Sequence, residues 1–385
     1  MLKKEKVCYS NQLNTKMKNA LIIFPNDWVY YSPTVLNAVE ILSQNGITPY
    51  LIYPHTSRYI SPESLSEHQI SFPKKLENLI FRLKLANLYF SALCLTRILK
   101  YKLCGVRFDL IIGVDSLGHI LASIAYKNAI YLSLELQTGF LNFVSRLFPI
   151  TYLLIQSKER KDFFNPARST QTFLIQNSPI LKKIEITNKN KNKKLIYFGT
   201  LSKKHGIEAC INALYYLDND YTLTIKGIPS SHNNTYYQEL LKNYENLIKI
   251  NRILFDFSYI DQNNISEYLS EFSIGFCFYD FELISKGDFN YISSPSGKLF
   301  NYFSAGIPVI ANDIIGFRPI TETNSGVLLP SVDSVQISQA ITQIMNNYNF
   351  YSKNATEASI KYDFGIRFNL FIREFFAEKQ IPHAE

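Results

Sequence analysis

The chain has 385 residues, 46% of them hydrophobic, which is long enough for two domains of roughly 150–200 residues, each with a core. Its five cysteines include no C-x-x-C pair, which argues against a disulfide framework or zinc site and predicts free thiols in a reducing compartment. No uncharged apolar run reaches the roughly 18 residues of a membrane-spanning helix. The net charge of +8 favours an anionic partner, such as nucleic acid, a nucleotide diphosphate or an anionic membrane surface.

The first half of the chain alternates apolar runs with helical stretches, which predicts a parallel sheet built from βαβ units. The loop after the first strand, 25–28, carries no G-x-G-x-x-G fingerprint, which argues against an ordinary NAD or FAD enzyme. The predicted strands of this half are 20–24, 48–53, 110–114, 129–134, 152–156 and 172–176.

A long helical stretch, 72–108, is rich in apolar and basic residues. One interpretation is a basic, amphipathic surface that lies on an anionic membrane. The other is a core-facing helix pair whose basic side chains reach out to water. The sequence leaves both interpretations open. The basic residues are Lys74, Lys75, Arg82, Lys84, Arg97, Lys100, Lys102 and Arg107.

Three ionisable residues follow predicted strands of this half. Asp115 and His119 follow the strand 110–114, and Glu135 closes the strand 129–134. The carboxyl ends of parallel strands are the edge at which open α/β sheets bind ligands. A carboxylate or a histidine there is able to act as a base toward an acceptor hydroxyl. We predict Glu135 as the key side chain of this edge, with Asp115 and His119 as the other catalytic candidates; the alternative for each is a cap or a solvated loop residue.

Lysine-rich residues 181–194 predict a solvated linker. It would separate an N-terminal domain, 1–180, from a C-terminal domain, 195–364, and we expect the terminal helix, 365–385, to rejoin the first domain. The second domain is predicted to begin with a strand, a glycine turn and a basic loop before a helix at 207–217. Its further predicted strands are 222–226, which Gly227 follows, 273–279 and 307–311, and a helix is predicted at 334–346.

The most informative stretch is 293–330. Ser296 and Gly297 open a short predicted helix, and Lys298 lies in its first turn. The backbone N–H groups of these residues would point at an anion, and the helix dipole adds to the attraction. The apolar run 307–311 then predicts a buried strand. The alternative is an ordinary helix–strand unit with a solvated lysine.

This stretch resembles the donor-binding signature of GT-B glycosyltransferases, especially the family-4 group, in which P-S-K-L-F-E-Y-M-A-A-G-K-P-V-I-A-S-D precedes a G-x-x-E/R loop. Segment 197–206 is similar to the family's Y-x-G-R-L-x-x-x-K-G, with Thr200 at the arginine place and His205 at the lysine place. The family's E-x7-E pair would fall on Ser293 and Asn301, so neither carboxylate is present. The matching residues of the signature are Pro295, Lys298, Leu299, Phe300, Tyr302, Ala305, Gly306, Pro308, Val309, Ile310, Ala311, Asp313, Gly316 and Arg318.

The resemblance implies the α/β GT-B architecture, in which two Rossmann-like domains with parallel sheets face a central cleft. It implies a retaining, metal-independent transferase that moves a sugar from a UDP- or GDP-linked donor to a glycan or lipid-linked acceptor in bacterial surface polysaccharide synthesis. We expect no cofactor and no nucleic-acid partner, and a cytoplasmic location, peripheral on the inner face of the plasma membrane. The expected donor-binding residues are Gly199, Thr200, Lys204, His205, Gly227, Ser296, Gly297, Lys298, Leu299 and Asn301. The alternatives are a nucleotide-sugar epimerase of the same fold and a non-catalytic basic protein that binds sugar or nucleic acid.

Overall fold

A computed structural model describes residues 18–56, 69–73, 77–181, 192–227, 234–279 and 284–378. Some predicted features lie outside these residues. They are most of the predicted linker, 182–191, the end of the terminal helix, 379–385, and the basic residues Lys74 and Lys75.

Seven parallel strands form the first sheet, in the order β3-β2-β1-β4-β5-β6-β7. All five residues of β4 are buried, as expected of a central parallel strand covered on both faces. The six strands predicted from the sequence are present, and the short edge strand β3 was not predicted. The strands are β1 Lys18–Ile23, β2 Ile47–His55, β3 Gln69–Ser71, β4 Leu110–Val114, β5 Ile130–Ser133, β6 Tyr152–Ile155 and β7 Gln171–Leu174.

Helices cover both faces of this sheet. One core cluster, which includes Val35 and Ile41 of the first helix, lies on one face. Another, which includes Phe90, Cys94 and Leu121, lies on the other. The helices are α1 Pro33–Gln44, α2 Glu77–Arg82, α3 Ala86–Leu103, α4 Asp115–Ala125, α5 Phe140–Ser145 and α6 Lys158–Phe164.

The stretch predicted as either membrane surface or core is α2 and α3. Phe90, Cys94 and Ile98 of α3 are buried against the sheet, so one side of this helix is part of the core. Its other side is exposed and is considered further below. Within the described parts of the chain, no helix combines the length and apolarity needed to cross a bilayer.

Six parallel strands form the second sheet, in the order β10-β9-β8-β11-β12-β13. The four inner strands coincide with apolar runs identified in the sequence, and the two edge strands, β10 and β13, were not predicted. The strands are β8 Lys194–Phe198, β9 Thr222–Lys226, β10 Ile253–Asp256, β11 Ile274–Cys277, β12 Val309–Asn312 and β13 Gly326–Leu329.

Helices also cover both faces of the second sheet, over two further core clusters. The predicted helix 207–217 ends at Ala213 and continues as one 3₁₀ turn, Leu214–Tyr216. The helices are α7 Ile207–Ala213, α8 Asn234–Asn243, α9 Glu245–Lys249, α10 Ile265–Leu269, α11 Phe289–Ser293, α12 Gly297–Ser304, α13 Arg318–Glu322, α14 Ser334–Asn346 and α15 Tyr348–Lys361.

The last helix, α16 Phe364–Glu378, crosses back to the first domain. It packs against α1 and contributes Phe364, Phe368, Phe371 and Phe375 to the core of the first sheet. The two chain crossings lie side by side, since the Leu181 N–H donates to the Asp363 carboxylate at 2.6 Å. The first core is therefore completed by residues from the far end of the chain.

Candidate functional site

Three segments of the second domain converge at the carboxyl ends of its central strands. A Cβ on Gly227, after β9, would lie 1.8 Å from the carbonyl oxygen of Gly199, after β8. A Cβ on Gly199 would lie 2.9 Å from Cδ of Lys298, in the first turn of α12. Gly199 also has φ of +151°, a conformation that L side chains rarely adopt. The glycines therefore let two strand ends and a lysine approach each other closely.

The Lys298 side chain folds inward toward this convergence. Its ammonium lies 5.5 Å from the centroid of the Tyr197 ring, and burial lowers the pKa of Lys298 below its ordinary value. Among the described residues, no carboxylate forms an ion pair with this ammonium. A desolvated cation without a counter-ion is costly unless an anion joins it. This arrangement is suited to binding an anionic ligand.

The start of α12 adds backbone donors beside the same lysine. Ser296 is the N-cap, and its hydroxyl accepts a hydrogen bond from the Lys298 N–H at 3.3 Å. The first domain reaches this point as well, because Asn177 Nδ2 lies 3.1 Å from where a Cβ on Gly297 would be. Asn177 accepts a hydrogen bond from the Thr34 hydroxyl of α1 at 3.1 Å. The beginning of the signature helix therefore lies where the two domains meet.

The remaining predicted donor residues have different positions. Leu299 has no exposed surface and belongs to the core beneath α12, so the structure does not bring it to the cleft. Thr200 and Lys204 are exposed, and His205 is partly buried with its Nδ1 3.5 Å from the Thr200 carbonyl oxygen. Asn301 is partly buried and lines a cavity between the domains.

The two positions of the family's glutamate pair are therefore not equivalent. Ser293 is buried, and its hydroxyl donates to the carbonyl of Phe289 within α11. Asn301 instead faces a cavity of about 1040 Å³ that is also lined by Tyr30 and Tyr259. The hydroxyls of these two tyrosines, one from each domain, share a hydrogen bond of 2.6 Å. A polar ligand in this cavity would meet the Asn301 amide but not Ser293.

In the first domain, Asp115 and Glu135 lie at the carboxyl ends of the inner strands β4 and β5. Asp115 is the first residue of α4, and its Oδ1 accepts from the N–H groups of Leu134 and Glu135 at 2.8 and 3.0 Å. Burial raises the pKa of Asp115 to about 7. The Glu135 side chain is 50% exposed, so the flanking leucines do not enclose it. Asp115 thus fixes the loop that presents Glu135.

An asparagine of the second domain holds this loop from across the cleft. Asn290 in α11 donates to the Glu135 carboxylate at 2.9 Å and accepts from the Leu136 N–H at 2.8 Å. It also accepts from the buried Arg160 guanidinium at 2.5 Å. The sequence pattern did not identify Asn290, because its role depends on a partner 130 positions away. Its place in α11, just before α12, connects the Glu135 loop with the segment that carries Lys298.

The third catalytic candidate, His119, does not reach the cleft. Its side chain is fully buried, its ring packs 4.9 Å from the Tyr131 ring, and Nε2 lies 3.3 Å from the Ser123 hydroxyl. Burial lowers the pKa of His119 to about 4, so the ring is neutral at physiological pH. The periodicity of α4 turns this residue inward, one turn after Asp115.

No protein-family model matches this sequence, and no curated protein matches it. Solved structures do match. HepE from Anabaena in complex with UDP superimposes with a TM-score of 0.66 at 14% identity, over 94% of this chain and all of that one. The chain has the GT-B fold.

Two further structures extend the likeness. A glycosyltransferase from Rickettsia africae matches with a TM-score of 0.66 at 12% identity, over 95% of this chain and 100% of that chain. A Listeria monocytogenes protein assigned as a UDP-N-acetylglucosamine 2-epimerase matches at 0.57 and 12% identity, over 95% and 97% of the two chains. The expectation of two parallel-sheet domains facing a cleft is confirmed, and the likeness at these identities concerns the fold.

Proposed function

We propose that this protein is a glycosyltransferase that moves a sugar from a nucleotide-diphosphate donor to an acceptor held by the first domain. The observation that carries the proposal is the partly buried Lys298 ammonium beside Gly199 and the start of α12, which pairs with no carboxylate in the described part of the chain. Structures of Anabaena HepE with UDP and with UDP-glucose support a nucleotide sugar as the ligand class.

The chemistry follows from where charge develops. Negative charge grows on the leaving diphosphate as its bond to the sugar breaks, so a cation placed there stabilises the transition state more than the ground state. Lys298 and the N–H groups at the start of α12 would supply this stabilisation, with the exposed Lys204 as a further cation. We propose that these groups make the transfer independent of a metal ion. The retaining outcome implied by the resemblance is part of the same proposal.

The acceptor would approach from the first domain. The half-exposed Glu135 carboxylate is oriented by Asn290 and is suited to accept a hydrogen bond from an acceptor hydroxyl. Asp115 would act through the loop and not on the acceptor itself, because it has 1% of its surface exposed. We propose a glycan or lipid-linked acceptor in bacterial surface polysaccharide synthesis, as the resemblance implies.

The deciding experiment is a calorimetric measurement of UDP and GDP binding to the Lys298→Ala variant. We expect at least tenfold weaker binding of the preferred nucleotide, about 1.4 kcal/mol, because the variant loses the cation at the diphosphate. Lys249→Ala is the matched control, since Lys249 is exposed and pairs with Glu245 on α9. Unchanged affinity in a folded Lys298→Ala protein would falsify the assignment.

The reaction products then distinguish a glycosyltransferase from an epimerase. The protein is incubated with the nucleotide sugar that binds best and a mixture of candidate acceptors, and the products are identified by mass spectrometry and NMR. Free nucleotide together with a glycosylated acceptor supports the transferase. Conversion of the nucleotide sugar into its epimer, with the nucleotide still attached, identifies an epimerase instead.

A further inference from the structure

The first domain has an outer helical surface that is unusually apolar. Among the described residues, 22 large hydrophobic side chains are exposed, and 11 of these lie between Leu79 and Leu147. This segment contains α2 to α5, and consecutive helices in it pack against each other. We call the exposed side of these four helices the apolar–basic face. Exposed apolar patches of this kind mark interaction sites in soluble proteins.

The exposed leucines of α3 lie opposite its buried side. Leu88, Leu99 and Leu103 are 67%, 56% and 79% exposed, while Phe90 and Cys94 are buried in the core. The difference of two residues between Leu88 and Phe90 turns the helix by about 200°. The helix is therefore apolar on two sides, and packing within the domain uses only one of them.

The short helix α5, which packs on α4, shows the same feature. Phe140 and Phe143 are 77% and 62% exposed, and their spacing of three residues places them on one side of the helix. Leu147, just beyond the end of the helix, is 67% exposed. Helix α5 follows the loop that carries Glu135 and Leu136. Its apolar side chains therefore project near the acceptor side of the candidate site.

The charge of this segment points to the chemistry of its partner. Between Glu77 and Leu147 the sequence has eight Lys and Arg residues against four Asp and Glu, and two of the four acids, Glu77 and Asp115, are buried. In the part of the chain that the structure describes, the ion pairs involve none of the eight basic residues. Basic side chains among exposed apolar ones complement an anionic, apolar surface.

We propose that the apolar–basic face docks on an anionic lipid bilayer, with the phenylalanines of α5 inserted at the headgroup level. The Lys and Arg residues would be attracted to the lipid charge, and the exposed leucines and phenylalanines would enter the acyl boundary. Docking in this way brings the loop of Glu135 close to the bilayer. If the proposed transfer holds, the acceptor is an amphiphile, a sugar carried on a lipid whose head group reaches the cleft from the membrane.

The test is co-sedimentation of the full chain with vesicles of phosphatidylglycerol and phosphatidylcholine, compared with vesicles of phosphatidylcholine alone. We expect binding to the anionic vesicles only. This binding should be at least tenfold weaker at 0.5 M salt than at 0.05 M salt, because the Debye length is about three times shorter at the higher salt. The double variant Phe140→Ser, Phe143→Ser should bind at least tenfold more weakly. Phe350→Ser is the matched control, because Phe350 is 55% exposed on α15 of the other domain, and it should bind as the parent does.

Three outcomes would overturn the proposal. One is a protein that stays in the supernatant with anionic vesicles at low salt. Another is a folded double variant that binds as tightly as the parent. The third is a stable dimer, seen by analytical ultracentrifugation, that the same double variant dissociates, since the face would then be covered by a second copy. Calorimetric UDP binding on the same preparations keeps this result separate from the proposed function, because the donor site lies in the other domain.

Discussion

At the scale of single residues, Asp115 combines an unusual backbone with a buried acid. Its φ is +54°, a left-handed conformation that Asp and Asn tolerate better than most residues. The carboxylate is buried, and while Oδ1 accepts two backbone hydrogen bonds, Oδ2 has no partner among the described residues. The residue thus joins the start of α4 to the loop of Glu135, and its ionisation has an energetic cost.

That cost predicts a pH-dependent stability. Burial raises the pKa of Asp115 to about 7 from 3.8, the nearby Glu135 carboxylate raises it further, and Arg160 lowers it. Between pH 3.8 and about pH 7, the Asp115 carboxyl holds a proton in the folded protein that it has lost in the unfolded chain. The contribution of Asp115 to the free energy of unfolding is therefore fully present below pH 4 and is lost as the pH rises through 7, by up to about 1.4 kcal/mol per pH unit.

Asp115→Asn should remove this dependence on pH. The asparagine tolerates the same left-handed backbone, and its side-chain oxygen still accepts the two backbone hydrogen bonds. We expect the variant to gain at least about 1 kcal/mol relative to the wild type between pH 5 and pH 7.5, measured by urea unfolding at both pH values. The exposed Asp313→Asn is the control. Parallel pH profiles for the wild type and Asp115→Asn would show that the carboxyl titrates normally.

The residues whose position in the fold agrees with the sequence prediction are those whose environment is set by near neighbours. Lys298 follows an N-cap serine and a glycine, so its place at a helix start is encoded within a few residues. His119 and Leu299 were assigned by loop position and by motif, but each lies on the inward side of its helix. Asn290 depends on the packing of one domain against the other, which leaves no local pattern in the sequence.

At the scale of elements, every inner strand was found from sequence, together with one edge strand, β7. Central parallel strands are buried on both faces and give continuous apolar runs, such as the five buried residues of β4. The strands that were missed, β3, β10 and β13, are all at sheet edges. Edge strands carry more exposed and polar side chains, as in β3 and β10, so their pattern is weaker. Pairing in the folded sheet, not local sequence, defines them.

The helix α16 provides an element-scale prediction. Phe371 is fully buried, with its ring 5.2 Å from that of Phe173 on β7, so Phe371→Ala should destabilise the first domain by about 3–5 kcal/mol. Trp28, the one tryptophan of the chain, packs on the same core, and its fluorescence during urea unfolding reports this domain. Ile366→Ala on the same helix is the control, because Ile366 is 55% exposed. An unshifted Trp28 transition in Phe371→Ala would mean that α16 is not needed for this core.

At the scale of the whole molecule, the two domains touch on both sides of the cleft. On one side Asn290 bonds to the Glu135 loop, the Phe163 and Phe289 rings stack at 4.6 Å, and Arg318 pairs with Glu159 at 3.3 Å. On the other side are the paired tyrosine hydroxyls of the cavity. The Glu135 loop of the first domain is therefore coupled to the second domain by these interdomain contacts.

Asn290 is the residue through which this coupling is best tested. Asn290→Ala removes three hydrogen bonds across the cleft, of which the bond to the Leu136 N–H has a direct readout. We expect amide hydrogen exchange in the peptide 134–140 to rise about fivefold, the equivalent of about 1 kcal/mol for one hydrogen bond. UDP affinity should stay within about twofold, because Asn290 does not contact Lys298.

The matched control is Asn243→Ala, at the exposed end of α8, which should leave both exchange and affinity unchanged. Unaltered exchange in Asn290→Ala would mean that the first domain holds the Glu135 loop by itself, through Asp115. A parallel loss of UDP affinity would instead place Asn290 in the donor site. The predicted pair of results, a loosened loop with a normal donor site, is expected only if the acceptor-side loop is ordered by domain contact while the anion site is built within the second domain.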